Sequence, residues 1–240
     1  MLLHLKTQSK YLEMETDIYI IRPNVIKEEP IYLLYLLHGY TGDYSNWVRH
    51  TNIERYVADK NMIVVMPSGL NMYYTNTDLW YPYFSYYTKE LPHMVSEILR
   101  LDIKKENTFI AGLSMGGYGA LKAILSTDNY AKAASFSGAL DLHKLTEKAK
   151  STRKNPFDAI FSKNIKKEDD LFTLVRNNKK PIELYLSCGK DDPFLPDSQA
   201  FVKLLKQEGI KHVYYEKEGT HDWVFWDNEI KHALSFFLDK

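Results

Sequence analysis

The sequence predicts an α/β fold with an eight-stranded, mostly parallel sheet and helices on both faces. Short apolar runs alternate with longer segments of helical period, and Gly, Pro, Asn and Asp lie between them. Five successive strand candidates are apolar along nearly their whole length, which is typical of strands that helices cover on both sides. The 240 residues, 45% of them hydrophobic, are enough for a single domain spanning 1–240.

The two strands nearest the amino terminus are expected to form an antiparallel edge, because no helix separates 2–7 from 11–21. In the second segment, apolar residues alternate with mostly polar neighbours, as in a strand with one buried face. The other six strands are predicted, in chain order, at 31–37, 62–66, 108–112, 133–136, 182–187 and 212–216.

Helices are predicted in the intervals between these strands, at 47–60, 89–101, 117–126, 198–208 and 223–238. In the fourth helix, Phe201, Leu204 and Leu205 form an apolar stripe, and Gly209 marks its end. Two long insertions, 68–88 and 141–181, interrupt the alternation, and insertions of this length usually carry function or disorder. The Lys-rich segment 141–181 could form a partial lid or a solvated helical excursion.

Charge and cysteine content argue against several classes of protein. The 31 basic residues balance the 31 acidic ones, whereas nucleic-acid-binding proteins usually carry a basic excess. Cys188 is the only cysteine, which excludes an internal disulfide framework and a multi-thiolate zinc site. We expect no signal peptide, because the apolar segment 1–5 is too short for its hydrophobic region, and no later run is long enough to predict a membrane-spanning helix. We therefore expect a cytoplasmic protein that needs no metal or cofactor and binds neither nucleic acid nor membrane.

A G-x-S-x-G pattern at 112–116 gives the sharpest chemical signal. It directly follows the predicted strand 108–112 and precedes the predicted helix 117–126, and this strand–turn–helix setting lifts a serine hydroxyl above the sheet. Glycines on either side leave room for so sharp a turn, and the helix N-terminus favours negative charge. Ser114 is therefore the candidate nucleophile, and the alternative is a glycine-rich turn without catalytic function.

A nucleophilic serine needs a histidine base and a carboxylate that orients the imidazole, in the chain order Ser, acid, His. Asp191 and Asp192 follow the predicted strand 182–187, at the carboxyl end where sites on open α/β sheets lie. His221 lies in the loop after the last predicted strand, and its alternative role is structural. We favour Asp192 as the acid, although the spacing alone leaves Asp191 open.

The oxyanion hole is predicted from the segment that follows the strand 31–37. This segment, His38-Gly39-Tyr40-Thr41-Gly42, stands where enzymes of this design place a second oxyanion donor. The backbone amides of Tyr40 and Met115 could therefore converge on a tetrahedral oxyanion. His38 itself is interpreted as structural.

Four motifs, LHGYTGDYSNW, GLSMGGYGAL, GKDDPFL and GTHDWVFWDNEI, together resemble the esterase D and tributyrin esterase-like carboxylesterases of the α/β-hydrolase superfamily. The resemblance extends from about residue 33 to residue 238 and implies an α/β-hydrolase fold. It also implies the triad Ser114, Asp192 and His221, because the family's aspartate precedes an x-Phe-Leu segment. The oxyanion amides carry over to Tyr40 and Met115.

One departure from that branch bears on the substrate. Its S-formylglutathione hydrolases typically have a cysteine shortly after the oxyanion motif, whereas 39–47 has none. We therefore expect a serine carboxylesterase that hydrolyses small, short-chain acyl esters through an acyl-enzyme. The alternatives are an S-formylglutathione hydrolase-like thioesterase, a feruloyl or acetyl esterase of carbohydrate esters, an acyltransferase, and a silent hydrolase scaffold used for binding.

Eight aromatic residues lie within the 15 residues 73–87. They could form the wall of a substrate pocket, which makes Trp80 and Tyr81 candidate pocket residues. They could equally form a homo-oligomer interface or pack beneath the insertion. Trp223, close to His221 in the sequence, is the third candidate for the pocket.

Overall fold

A sheet of eight strands runs through the molecule and confirms the predicted fold class. The computed structural model describes residues 1–28, 30–77, 81–150, 157–161 and 164–239. The strands are β1 (Leu2–Ser9), β2 (Met14–Ile21), β3 (Tyr32–Leu37), β4 (Met62–Pro67), β5 (Thr108–Leu113), β6 (Lys132–Phe136), β7 (Glu183–Gly189) and β8 (Lys211–Lys217). Their order in the sheet is β1-β2-β4-β3-β5-β6-β7-β8.

The antiparallel edge predicted from the amino-terminal segments is present. β1 and β2 form an antiparallel pair, and β2 also pairs antiparallel with β4. All the other neighbouring strands are parallel, so the carboxyl ends of β3, β5, β6, β7 and β8 meet at one edge of the sheet. Loops that leave that edge can bring distant parts of the sequence together.

Helices cover both faces of this sheet. They are α1 (Asn46–His50), α2 (Ile53–Tyr56), α3 (Tyr83–Ser85), α4 (Leu91–Leu99), α5 (Met115–Ser126), α6 (Leu142–Lys150), α7 (Phe157–Phe161), α8 (Leu171–Asn177), α9 (Leu195–Gln207) and α10 (Trp223–Leu238). A π-helical turn, Tyr86–Glu90, joins α3 to α4, and a 3₁₀ turn, Lys105–Asn107, precedes β5. None of these described helices is long and apolar enough to cross a membrane.

Two hydrophobic cores lie on opposite faces of the sheet. Leu33, Tyr35 and Leu37 of β3 belong to the core under α4, α5, α8 and α9. Leu34 and Leu36, which alternate with them along the strand, belong to the core under α1, α2 and α10. This alternation with both sides buried explains why the central strands are apolar at nearly every position.

The helix predicted at 47–60 forms as two short helices, because the chain leaves helical geometry at Thr51. The Thr51 hydroxyl donates to the Trp47 carbonyl and accepts from the Ile53 amide. The next amide, that of Asn52, donates to the Asp227 carboxylate of α10 at 3.0 Å. A contact between residues 175 positions apart thus sets the break between α1 and α2.

The aromatic segment 73–87 contributes mainly to the core. Among its described aromatic side chains, five are at most 4% exposed: Tyr73, Tyr74, Tyr83, Tyr86 and Tyr87. Tyr73 packs edge-on against Phe157 and Phe161 of α7. Tyr73 therefore packs beneath the 141–181 insertion, and all five tyrosines belong to the same hydrophobic core.

Candidate active site

Ser114 lies in the sharp turn between β5 and α5. Its φ and ψ angles of 52° and −117° are unusual for a residue with a side chain. The turn is held by three backbone hydrogen bonds, one from the Ser114 amide to the Phe136 carbonyl at 2.9 Å and two to the Ser114 carbonyl, from Tyr118 and Ala139, both at 3.1 Å. These contacts stabilise a strained backbone at the candidate nucleophile.

The glycines of the G-x-S-x-G pattern permit a close approach of backbones. A Cβ atom on Gly112 would lie 2.4 Å from the backbone of Gly116. A Cβ atom on Gly116 would lie 2.6 Å from the carbonyl oxygens of Leu37 and His38. Either methyl group would force α5 away from the sheet, so the pattern brings the helix N-terminus to the end of β3 and β5.

His221 and Asp192 meet at the same edge of the sheet, from the loops after β8 and β7. Nδ1 of His221 is 2.9 Å from Oδ2 of Asp192. The other carboxylate oxygen accepts from the Phe194 amide at 2.8 Å. The Asp192 side chain is fully buried, whereas Asp191 is exposed. Of the two aspartates, Asp192 is therefore the one whose carboxylate is hydrogen-bonded to the His221 imidazole.

The electrostatics of this pair keep Asp192 ionised. Burial acts to raise its pKa, but the hydrogen bonds from His221 and the Phe194 amide lower the pKa below its ordinary value. An ionised carboxylate can only accept, so the proton of the shared hydrogen bond belongs to Nδ1 of the imidazole. Nε2 is then unprotonated, and it can accept the proton of a hydroxyl group that attacks a substrate.

Aromatic side chains hold the His221 ring from two sides. The Trp226 ring packs against it edge-on, with centroids 4.9 Å apart, and the Phe194 ring lies 5.2 Å away. Neither residue was predicted as a site residue from the sequence. Their proximity to Asp192 and His221 in the motifs is the only sequence signal that could have pointed to them.

Ser114 and His221 line one open cavity of about 520 Å³. Its other walls are Gly39, Tyr40, Thr41, Gly42, Asn46, His50, Leu113, Asp222, Trp223 and Trp226. Of the predicted pocket residues, Trp223 lies on this wall, stacked against His50 at 4.7 Å. Tyr81 packs near Tyr83 and does not line the cavity. Trp80 lies outside the described residues.

The predicted triad is not fully connected in this structure. Among the hydrogen bonds of the described residues there is none between the Ser114 hydroxyl and the His221 imidazole, although both groups face the same cavity. Catalytic hydrogen bonds are often long before substrate binds and shorten in the reactive complex. The Asp192–His221 hydrogen bond is therefore the part of the predicted triad that is already formed.

The two predicted oxyanion donors flank Ser114. The amide of Met115 begins α5, where the positive end of the helix dipole lies, and the Tyr40 amide is in the loop after β3. Within the described part of the chain, neither amide donates a hydrogen bond to the protein. Both donors are thus free for a negatively charged oxygen.

His38 fixes the loop that carries the Tyr40 amide. Its Nδ1 lies 2.7 Å from the Gly39 carbonyl, and its Nε2 accepts from the Gly69 amide at 2.8 Å. Burial lowers the pKa of His38 to about 4, so the ring is neutral with its proton on Nδ1. The Thr41 amide adds a hydrogen bond to Asn71 at 2.7 Å.

Nothing in the described part of the chain forms a cluster that could hold a metal ion: no three His, Cys, Asp or Glu side chains converge there. The chemistry that the described residues offer is that of a hydroxyl, an imidazole, a carboxylate and two backbone amides. This set is suited to nucleophilic attack on a carbonyl carbon.

Comparisons with known proteins point in the same direction. A family model described as a putative esterase matches residues 9–237. An acetyl esterase of Caldicellulosiruptor saccharolyticus is 33% identical over 251 residues, covering 95% of this chain and 94% of that protein.

Two solved structures from Staphylococcus aureus are also similar. FphF, a fluorophosphonate-binding serine hydrolase with substrate bound, superposes with a TM-score of 0.90 at 28% identity, over 100% of this chain and 99% of its own. The S-formylglutathione hydrolase FrmB superposes with a TM-score of 0.87 at 29% identity, over 100% of both chains. The likeness to serine hydrolases thus extends along the whole chain.

Proposed function

Since this chain belongs to the putative esterase family and is a serine hydrolase of carboxylic esters with an α/β-hydrolase fold, we propose that Ser114, His221 and Asp192 form its catalytic triad. The observation that carries the proposal is the 2.9 Å hydrogen bond between the buried Asp192 carboxylate and His221, on the cavity that Ser114 also lines. The serine esterase function expected from the sequence is itself confirmed by the family and its relatives.

In the first half-reaction, Oγ of Ser114 attacks the ester carbonyl carbon while Nε2 of His221 takes the hydroxyl proton. The carbonyl π bond opens and its electron pair becomes the oxyanion. When the oxyanion collapses, the bond to the alcohol oxygen breaks, and His221 returns the proton to the leaving alcohol. Ser114 then carries the acyl group as an ester.

In the second half-reaction, water attacks the acyl-enzyme with His221 again as the base. Collapse of the second tetrahedral intermediate breaks the bond to Ser114, which takes back its proton from the imidazolium. Asp192 keeps the imidazole in the tautomer that leaves Nε2 unprotonated and stabilises the positive ring. The products are a carboxylic acid, an alcohol and unchanged enzyme.

The amides of Tyr40 and Met115 are proposed as the oxyanion hole. Both are free of protein acceptors among the described residues, and both stand next to Ser114 in space or in sequence. A preorganised donor of this kind contributes about 3–4 kcal/mol to the stability of the transition state. The role of His38 is then to hold the loop that positions the Tyr40 amide.

We propose short-chain acyl esters as substrates and place the chain in the tributyrin esterase-like branch. The four sequence motifs support the branch, and the acetyl esterase that is 33% identical supports a small acyl group. The cavity of about 520 Å³ is of the size that small-molecule sites usually have. Leu113, Trp223 and Trp226 supply apolar wall beside the nucleophile.

The test is hydrolysis of p-nitrophenyl acetate, butyrate and octanoate by the parent and by Ser114→Ala, followed from the first seconds. We expect saturable hydrolysis, a burst of p-nitrophenol equal to the enzyme concentration if deacylation limits, and loss of both in Ser114→Ala. Ser126→Ala is the matched control, because this exposed serine ends the same helix that Ser114 begins. If the parent and Ser114→Ala hydrolysed all three esters at the same slow rate, the proposal would be contradicted.

A second candidate is a thioesterase, favoured by the likeness to the S-formylglutathione hydrolase of S. aureus. The absence of cysteine from the segment 39–47 counts against it. Comparing kcat/KM for S-formylglutathione with kcat/KM for p-nitrophenyl acetate distinguishes the two. A value at least a hundredfold higher for the thioester would replace the carboxylesterase proposal with this one.

A further inference from the structure

Two polar side chains of the short helix α1 line the cavity that Ser114 also lines. They are Asn46 and His50, the first and last residues of the helix. Residues four positions apart lie on the same face of a helix, so α1 presents both side chains to the cavity. Arg49 of the same helix does not line it. Neither Asn46 nor His50 has a part in the triad or the oxyanion hole proposed above.

A hydrogen bond fixes the orientation of the Asn46 side-chain amide. Its Oδ1 atom accepts from the Asp43 backbone amide at 2.9 Å. A backbone amide can only donate, so the atom that faces it must be the oxygen, and Nδ2 must lie on the other side of the amide group. Within the described part of the chain, Nδ2 donates no hydrogen bond of its own. Asn46 therefore brings two unused donors to the cavity wall.

Aromatic packing fixes the His50 imidazole. The ring stacks on Trp223, with centroids 4.7 Å apart and an angle of 22° between the planes. Trp223 is itself held edge-on by Trp47 at 5.3 Å and by Trp226 at 5.2 Å. The His50 side chain is exposed, and among the described residues its ring nitrogens have neither a hydrogen bond nor an ion pair. The imidazole is thus held in place while both of its nitrogens stay available.

The leaving alcohol is the part of a substrate that extends towards these groups. His221 must give its proton to the alcohol oxygen, so the alcohol lies on the imidazole side of Ser114. Trp223 follows His221 by two residues and lines the same cavity, with His50 stacked on it. Groups carried by the alcohol therefore point towards the wall that α1 and Trp223 form.

The chemistry of this wall favours an uncharged oxygen. Nδ2 of Asn46 can only donate, so its partner must be an acceptor. Asp222 lines the same cavity, and its carboxylate disfavours an anion there. An uncharged ether or hydroxyl oxygen meets both conditions, and it is also less costly to desolvate than a carboxylate.

We propose that Asn46 and His50 are specificity residues that bind a further oxygen atom on the leaving alcohol. The preferred substrates are then short-chain acyl esters of alcohols that carry an additional hydroxyl or ether oxygen. This inference rests on the esterase function proposed above. Asn46 donates through Nδ2 and His50 through a ring N–H. A plain alkyl chain displaces water from these donors without replacing its hydrogen bonds, which weakens binding.

The experiment compares 2-methoxyethyl acetate with butyl acetate, which differ by an ether oxygen in place of one methylene group. The kcat/KM of each ester is divided by its rate constant for hydrolysis by hydroxide, which removes the difference in intrinsic reactivity. We expect the parent to prefer the ether ester by about five- to tenfold, the ratio that one net hydrogen bond gives. Equal normalised values for the two esters overturn the proposal.

Asn46→Asp tests the donor while keeping the local fold, because its carboxylate still accepts from the Asp43 amide. A carboxylate cannot donate to an ether, so the preference for 2-methoxyethyl acetate should be lost. 2-Hydroxyethyl acetate should keep its preference over propyl acetate, because its hydroxyl can donate to the new carboxylate. If the variant slowed all four esters equally and kept both ratios, Asn46 would not contact the alcohol and its role would be overturned.

His50→Phe keeps a ring against Trp223 and removes the ring nitrogens. It should lower both ratios by about two- to fivefold, whereas unchanged ratios overturn the role of His50. Arg49→Gln is the matched control, because it changes the net charge of α1 by the same amount as Asn46→Asp at a position outside the cavity. It should keep both ratios, and a loss there would mean that helix charge, not contact, sets the preference.

Ser114→Ala distinguishes a failure of this inference from a failure of the proposed function. If that variant hydrolyses the four esters as fast as the parent, the proposed esterase mechanism is wrong. If hydrolysis requires Ser114 and the parent shows no preference for the oxygenated esters, only the role of Asn46 and His50 is wrong.

Discussion

The Nδ1 atom of His221 lies 2.9 Å from the Oδ2 atom of Asp192, although 29 residues separate them in the sequence. Parallel pairing of β7 with β8 brings their carboxyl ends together and places the two loops side by side. The carboxylate is fully buried, and the imidazole is partly exposed towards the cavity. The pair therefore has one protected hydrogen bond, and the second ring nitrogen has no hydrogen bond to the described residues.

Replacing Asp192 with asparagine should lower kcat by about 10³- to 10⁴-fold with little change in KM. An amide can donate to Nδ1 and so stabilise the tautomer that carries its proton on Nε2, which cannot accept one. Steady-state kinetics on p-nitrophenyl butyrate measure the effect. Asp191→Asn is the control, since this neighbouring aspartate is exposed, and a loss of similar size in that variant would contradict the assignment.

Replacing Ser114 with glycine should abolish activity and stabilise the fold. Glycine adopts the φ of 52° without strain, whereas Ser114→Ala keeps a side chain in the same backbone conformation. We expect the free energy of unfolding of Ser114→Gly to exceed that of Ser114→Ala by about 0.5–1 kcal/mol, measured by urea denaturation. Equal stability of the two variants would show that the turn is not strained.

The parts of the site that the sequence predicts are those whose signal is local. A Cβ atom at Gly112 or Gly116 would lie less than 3 Å from neighbouring backbone atoms, so both positions require glycine. The glycines in the sequence therefore predict the turn around Ser114. The sequence also predicts His221 as a site residue, because it lies in the loop directly after the last strand. Asp192 and Asp191 are adjacent, so their spacing leaves both open as the acid. The family resemblance favours Asp192, and the loop after β7 directs the Asp192 carboxylate to the imidazole.

The parts that the sequence does not predict depend on long-range contacts. Asp227 ends α1 by binding the Asn52 amide, and no local pattern in 47–60 reveals it. The aromatic composition of 73–87 fits a pocket wall and a core equally, and the structure buries five of its described tyrosines in the core. Trp226 has the spacing of a core residue and still contacts the His221 ring.

A buried ion pair between Lys122 of α5 and Asp169 should make both residues important for stability. Both side chains are at most 5% exposed, and Nζ of Lys122 also donates to Thr75 at 2.8 Å. Lys122→Met should lower the free energy of unfolding by about 3–5 kcal/mol, because it leaves the Asp169 charge buried without a counterion. Urea denaturation measures the change.

The double variant Lys122→Met/Asp169→Leu tests that explanation, because it removes both charges and should recover most of the lost stability. Lys105→Met is the control, since its ion pair with Asp128 is exposed to solvent and should contribute little to stability. A double variant as unstable as the sum of its single variants would mean that packing, not charge, explains the loss.

His38 should make the fold sensitive to acid. Its pKa is about 4 in the folded protein against an ordinary value of 6.5, because the ring is buried. Above pH 6.5 the ring is neutral in both states and the full stability is present. Between pH 6.5 and about 4 the unfolded chain takes up a proton that the folded protein does not, so the free energy of unfolding falls by about 3 kcal/mol over that range.

Urea denaturation of the parent and of His38→Gln at several pH values between 7 and 4 measures this contribution. Glutamine at position 38 lacks the titrating ring, so its free energy of unfolding should fall less steeply with acid than that of the parent. His232→Gln, which removes an exposed imidazole of α10, should keep the parent's slope. Parallel curves for the parent and His38→Gln would mean that the neutral ring of His38 does not contribute to acid sensitivity. His38 holds the Gly39 carbonyl and the Gly69 amide together, so its protonation in the folded protein would also release the Tyr40 amide. Because that protonation occurs only near pH 4, the loss of activity from this cause should appear at a lower pH than the loss of stability.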